Sequence, residues 1–142
     1  MSMEASAAKP SPQVVIIMGA EVDQWWADKI KAHLDEMKIS SKTYAASAHK
    51  QPLEVLKVLK LYQDANHLVY VTIAGLSNAL SGFVAANSSH VTIACPPFKD
   101  NLDMMVNIHS TLQMPPKTPV LTVLDPGNCA LSCQRILNMG KS

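Results

Sequence analysis

Short, almost wholly apolar runs alternate along the chain with longer stretches in which apolar residues recur every three or four positions. The runs at 14–18, 42–46, 68–73, 91–95 and 120–124 read as strands, and the stretches at 24–37, 52–63, 78–87, 102–112 and 128–139 as helices. In the second helical stretch Leu53, Leu56, Leu59 and Leu61 join Val55 and Val58 in a broad apolar face, and Pro52 suits a helical first turn. Asp125-Pro126-Gly127 is a turn signal before the last helix. Strands that are apolar nearly throughout bury both faces, and a helix after each strand supplies the cover. The pattern predicts an α/β protein: a three-layer α/β/α, flavodoxin-like fold with a parallel sheet of about five strands, in a single domain. In such a fold ligands bind beyond the carboxyl ends of the strands, near the point where strand order reverses. The segments 18–23, 47–50, 74–81 and 95–98 are therefore the places to look for chemistry.

Composition narrows the picture. With 48% hydrophobic and 16% charged residues in 142, the chain is expected to bury a real core and to keep apolar surface for an oligomer. A formal net charge of +1 with no run of lysines or arginines gives no electrostatic footprint for nucleic acid or for an anionic membrane. No apolar stretch reaches the roughly 18 residues that span a bilayer. Residues 1–12, MSMEASAAKPSP, are polar and proline-rich without the apolar centre of a signal peptide, and predict a flexible N-terminal tail ahead of a domain at 13–140. The cysteines Cys95, Cys129 and Cys133 are odd in number and lie in apolar surroundings, which predicts a reduced, cytoplasmic protein. Cys129 and Cys133 could share a helix face, but further ligands at metal-site spacing are missing, so no metal is expected.

Two strand-end loops carry the candidate chemistry. Ser47-Ala48-His49-Lys50 sets a hydroxyl, an imidazole and a cation side by side. Histidine is the side chain best suited to moving a proton near neutral pH, and lysine anchors a phosphate as a point charge. The plainer reading of the same residues is a loop leading into a helix, with a solvated lysine. In Ala74-Gly75-Leu76-Ser77-Asn78-Ala79-Leu80-Ser81-Gly82, Gly75 would let backbone approach a ligand, and Ser77 or Asn78 could instead cap the next helix. His33, His67, His90 and His109 are scattered and read as surface or structural residues. Trp25 and Trp26 open the first helix and read as core or subunit-interface packing, and Met104 and Met105 read as gap fillers.

Taken in order, Gly19-Ala20-Glu21-Val22-Asp23, Ser47-Ala48-His49-Lys50, Ala74-Gly75, Cys95-Pro96-Pro97 and Gln113-Met114-Pro115 resemble the phosphoribosylaminoimidazole carboxylase family from about Val14 to Leu137. AGLSNALSG with SAHK and CPP resembles the branch that adds carbon dioxide directly to aminoimidazole ribonucleotide, rather than the related N-carboxyaminoimidazole ribonucleotide mutases. The resemblance implies a carboxylase of de novo purine biosynthesis with no cofactor and no metal. It implies His49 as proton carrier, Lys50 at the 5′-phosphate and Asp23 at the ribose hydroxyls. Gly75, Ser77 and Asn78 would hold the carboxylate or carbon dioxide, with Gly19, Ser47 and Ala48 completing the substrate site. It also implies a cytoplasmic homo-oligomer, an octamer in the family, with sites between subunits.

The chain departs from the family's GSxSD and AGRSN patterns at Ala20, Val22 and Leu76, which removes two hydroxyls and a cation. A lost charged contact to phosphate costs about 1.5–3 kcal/mol and a neutral one about 1 kcal/mol. Lys117, in the altered stretch after Gln113-Met114-Pro115, is a candidate to restore a positive charge. These departures support a second reading, a non-catalytic member serving as an assembly or small-ligand-binding module.

Overall fold

The computed structural model describes residues 11–141. The tail expected at 1–12 falls outside the described residues except for Ser11 and Pro12. Five strands, β1 (Val14–Met18), β2 (Ser41–Ala45), β3 (Val69–Ile73), β4 (Val91–Ala94) and β5 (Leu121–Thr122), form one sheet in the order β2-β1-β3-β4-β5. Every pairing is parallel, with Val14 of β1 beside Ser41 on one side and Val69 on the other. This is the flavodoxin-like order expected from the sequence.

The helices are α1 (Gln24–Glu36), α2 (Pro52–Leu61), α3 (Leu80–Ala86), α4 (Asn101–Asn107), α5 (His109–Leu112) and α6 (Pro126–Asn138). Alternation along β1 explains the three layers. Val14, Ile16 and Met18 face a core completed by Ala27, Ile30 and Leu34 of α1 and by Cys129, Ala130, Cys133 and Leu137 of α6. Val15 and Ile17 face the opposite core, with Val55, Val58 and Leu59 of α2 and Leu80 and Val84 of α3. β1 is apolar at every position and β3 at all but Tyr70 and Thr72, and every residue of both strands is buried, as a strand covered on both faces requires.

Several boundaries differ from expectation, each for a local reason. The helix expected at 102–112 is two helices that meet at Ile108. The last strand shrinks from 120–124 to two residues, because β5 lies at the sheet's edge and pairs only with β4. The last helix begins earlier than expected: Asp125 caps it by accepting the Asn128 N–H at 2.9 Å, with Pro126 in the first turn. The apolar face of α2 divides, since Val55, Val58 and Leu59 are buried whereas Leu53 and Leu61 are 72% and 69% exposed. Met105 fills no gap; it is 67% exposed on α4.

The strand order reverses at β1, whose chain leaves toward β2 on one side before β3 forms on the other. The carboxyl ends of β1 and β3 therefore open side by side, held by Gly19 N–H donating to the Ile73 carbonyl at 2.8 Å. Ala46 N–H extends the register to the Met18 carbonyl at 2.9 Å, and Cys95 N–H to the Thr72 carbonyl, also at 2.9 Å. Four strand ends are thus level with one another along one edge of the molecule.

Candidate functional site

A cavity of about 520 Å³ lies over these strand ends. Its lining comes from the loop after β1 (Gly19, Ala20, Val22, Asp23), the loop after β2 (Ser47, Ala48, His49), the loop after β3 (Gly75, Leu76, Ser77) and the loop after β4 (Pro97, Lys99). The volume falls within the range of small-molecule sites. Among the described residues no group of three or more His, Cys, Asp or Glu is placed to hold a metal ion.

The first loop turns at once into a short 3-10 segment, Glu21–Asp23, closed by Asp23 N–H donating to the Ala20 carbonyl at 3.1 Å. That turn delivers Asp23 to the cavity at the start of α1. Burial without a compensating cation raises the Asp23 carboxyl above its ordinary value. Trp25 follows on the cavity wall, in edge-to-face contact with Trp26 at 5.2 Å between ring centres. The Trp26 indole N–H donates to the Cys95 carbonyl at 2.8 Å, which ties the start of α1 to the end of β4 across the sheet.

In the second loop the Ser47 hydroxyl accepts the Lys50 N–H at 3.1 Å and the Ser47 carbonyl accepts the Gln51 N–H at 2.7 Å. This tight turn presents Ala48 and the exposed His49 to the cavity. The Ser47 hydroxyl keeps its own proton to offer, since it serves the turn only as an acceptor. Lys50, the next residue of the same turn, is not among the residues that line the cavity. Neither is Lys117.

The third loop is fixed from below. Asn78 is 5% exposed, and its amide donates to Ser81 Oγ at 2.7 Å and to Thr111 Oγ1 at 3.0 Å. Its carbonyl oxygen accepts the Ser81 N–H at 3.1 Å, the capping role in the first turn of α3. Ser81 Oγ in turn meets Thr72 Oγ1 on β3 at 2.7 Å. The Asn78 side chain is thus spent on the protein, and Asn78 does not line the cavity; Ser77, beside it, does. The Ser110 hydroxyl donates to the Leu76 carbonyl at 3.1 Å and accepts the Asn78 N–H at 2.9 Å, bridging loop and α5. Leu76 sits in the left-handed region at φ 56° with its side chain 76% exposed on the cavity.

Neither Gly19 nor Gly75 has a positive φ, and an added Cβ would come no closer than 3.7 Å to a neighbour at Gly19 and 3.8 Å at Gly75. Both line the cavity, so what their missing side chains leave open is room for a ligand. Of the nine residues named from the sequence, the cavity brings together Gly19, Asp23, Ser47, Ala48, His49, Gly75 and Ser77. It adds Lys99 and Asp103, which sequence reasoning missed. The expected functional loop at 95–98 ended one residue short of Lys99.

A family model described as AIR carboxylase matches residues 13–142. The chain is 41% identical over 124 residues to a phosphoribosylaminoimidazole carboxylase of Archaeoglobus fulgidus, covering 87% of this chain and 68% of the relative. It is 40% identical over 129 residues to the phosphoribosylaminoimidazole carboxylase of Treponema denticola, covering 90% and 80%. The crystal structure of Treponema denticola PurE superposes with a TM-score of 0.83 at 39% identity, over 90% of this chain and 81% of that one.

Proposed function

The chain belongs to the AIR carboxylase family and is a phosphoribosylaminoimidazole carboxylase of purine biosynthesis, and we propose that it adds carbon dioxide directly to 5-aminoimidazole ribonucleotide with His49 as the proton carrier. One observation carries the residue-level reading: a single cavity at the switch in strand order gathers His49, Asp23 and the Gly75–Ser77 backbone around space for one nucleotide.

The chemistry asks little of the protein. The aminoimidazole ring is an electron-rich enamine whose ring carbon attacks the carbon of carbon dioxide. A carbon–carbon bond forms while one C=O π pair moves onto oxygen. The ring proton at the attacked carbon then leaves to His49, and its electron pair restores the aromatic ring. Run backwards, the same imidazole returns the proton and carbon dioxide departs. No ATP, biotin or metal enters this sequence; the protein supplies orientation, exclusion of water and the base.

Asp23 accepts hydrogen bonds from the ribose hydroxyls, which would compensate the burial that raises its carboxyl. Ser77 and the backbone at Gly75 receive the carboxylate being formed, and Gly19, Ser47 and Ala48 shape the wall around the nucleotide. Residues 13–140 form the carboxylase domain. The relatives lend no support to the non-catalytic reading suggested by Ala20, Val22 and Leu76.

The working protein is a cytoplasmic homo-oligomer, an octamer as the family resemblance implies. The support on this chain is the exposed apolar surface of Leu53 and Leu61 on α2 and of Leu102, Met105 and Val106 on α4. Among the described residues no helix is long and apolar enough to cross a membrane. Product formation from aminoimidazole ribonucleotide and bicarbonate, repeated with His49→Ala, tests the catalytic reading, and light scattering on the eluting protein tests the assembly. Turnover in His49→Ala equal to the parent would remove His49 from the mechanism, and a monomer at assay concentration would remove the oligomer.

A further inference from the structure

We propose that Ser110 is a positioning residue for carboxylation: its hydroxyl clamps the loop after β3 so that the Gly75–Ser77 backbone is set to receive the carboxylate being formed. The inference rests on the carboxylase reading above and adds a residue that reading does not contain. Ser110 lies off the wall of the large cavity and acts only through the loop.

The loop has little of its own to hold its shape. Among the described residues, the N–H groups of Gly75, Leu76 and Ser77 donate to no protein acceptor, although all three residues line the cavity. Successive amides without partners suit an anion, provided that the backbone keeps them turned toward it. Leu76 also sits at φ 56°, a left-handed conformation that is costly for leucine and lasts only where the surroundings impose it.

Ser110 is what imposes it. Its hydroxyl donates to the Leu76 carbonyl at 3.1 Å and accepts the Asn78 N–H at 2.9 Å, which fixes the peptide planes on both sides of Ser77. In a planar trans peptide the C=O and N–H point in opposite directions. Holding the Leu76 carbonyl against α5 therefore turns the Ser77 N–H away from α5. The clamp is itself anchored. The Asn107 carbonyl lies 3.2 Å from the same hydroxyl, and the neighbouring Thr111, 2% exposed, accepts the Asn78 amide at 3.0 Å. Two successive residues of α5 thus bond a loop more than thirty positions earlier in the chain. A misplacement of about 1 Å in groups that orient a reaction is enough to cost about a hundredfold in rate.

The test compares the parent with Ser110→Ala, Ser110→Thr and His109→Ala, the last an exposed neighbour on the same helix. Readouts are KM for aminoimidazole ribonucleotide, kcat/KM for carbon dioxide, and hydrogen exchange by mass spectrometry over residues 75–79. Ser110→Ala is expected to lower kcat/KM for carbon dioxide by roughly ten- to a hundred-fold, with the nucleotide KM within about twofold and faster exchange in the loop. Ser110→Thr keeps both donor and acceptor and should return activity to within about threefold of the parent, and His109→Ala should match the parent. If Ser110→Ala does not fold, Ser110→Cys, close in shape but a weak hydrogen-bonding group, is read in its place. Parent-like kcat/KM for carbon dioxide overturns the proposal. So does a loss that Ser110→Thr shares in full, or one that falls equally on the nucleotide KM, since a merely structural role would give either. No turnover in the parent removes the carboxylase reading and the proposal with it, whereas turnover in the parent without this split in Ser110→Ala removes the proposal alone.

Discussion

Replacing Asn78 with alanine should destabilise the fold by about 2–4 kcal/mol while leaving the exposed chemistry of the cavity in place. The substitution removes the hydrogen bonds to Ser81 Oγ at 2.7 Å and Thr111 Oγ1 at 3.0 Å, and the one accepted from Ser81 N–H at 3.1 Å. Ser81 Oγ keeps Thr72 Oγ1 as a partner, so two groups lose the bond they had with Asn78 without a replacement: the Ser81 N–H and the Thr111 hydroxyl. Each buried group left without a partner costs about 1–3 kcal/mol, and the summed maximum is reduced because the Thr111 hydroxyl is free to rotate. With a urea m-value near 2 kcal/mol/M, the unfolding midpoint should fall by about 1–2 M at constant m. Ser77→Ala, next to Asn78 but exposed, is the control and should shift stability by less than about 0.5 kcal/mol. A urea midpoint for Asn78→Ala that matches the parent, together with a raised KM, would refute the argument. Asn78 would then be a substrate group, as the family resemblance implied.

Asp23→Asn should stabilise the protein near neutral pH, because burial raises the Asp23 carboxyl in the folded state. Protonated Asp23 is equally at ease in the folded and unfolded chains at low pH, and its contribution is lost as pH rises through the folded value. The stability gap between variant and parent should therefore widen from pH 3 to pH 7 in urea titrations, and a constant gap would contradict it. Leu76→Arg puts a second cation on the cavity at a position already in the left-handed region, so it should lower KM about tenfold without added backbone strain. Steady-state kinetics on the variant checks the statement.

The layered sheet could be read from the chain because β1 is apolar at every position and β3 at nearly all, a pattern that a strand covered on both sides sustains. The seven cavity residues foreseen were legible for a related reason: strand ends, once located, fix which loops converge. Lys99 was missed because Phe98-Lys99-Asp100-Asn101 reads locally as a solvated helix start, and the Asp100–Asp103 cap that pins it is visible only once both side chains are placed. The partners of Asn78 lie outside local reading altogether, since Thr111 is 33 residues away in sequence. Lys50 shows the converse case. Its position in SAHK suggested a ligand contact, yet the turn closed by the Ser47 hydroxyl leaves it off the cavity wall. The outer leucines of α2 also misled, because periodicity marks a face as apolar without saying what covers it.

Direct carboxylation by His49 is tested most plainly by incubating the purified protein with aminoimidazole ribonucleotide and carbon dioxide or bicarbonate, without ATP, and following the carboxylated ribonucleotide. Product should form in the parent and fall by at least about a hundredfold in His49→Ala, with the variant still binding the nucleotide. No product from the parent at saturating nucleotide, or equal turnover with and without the imidazole, would contradict the account.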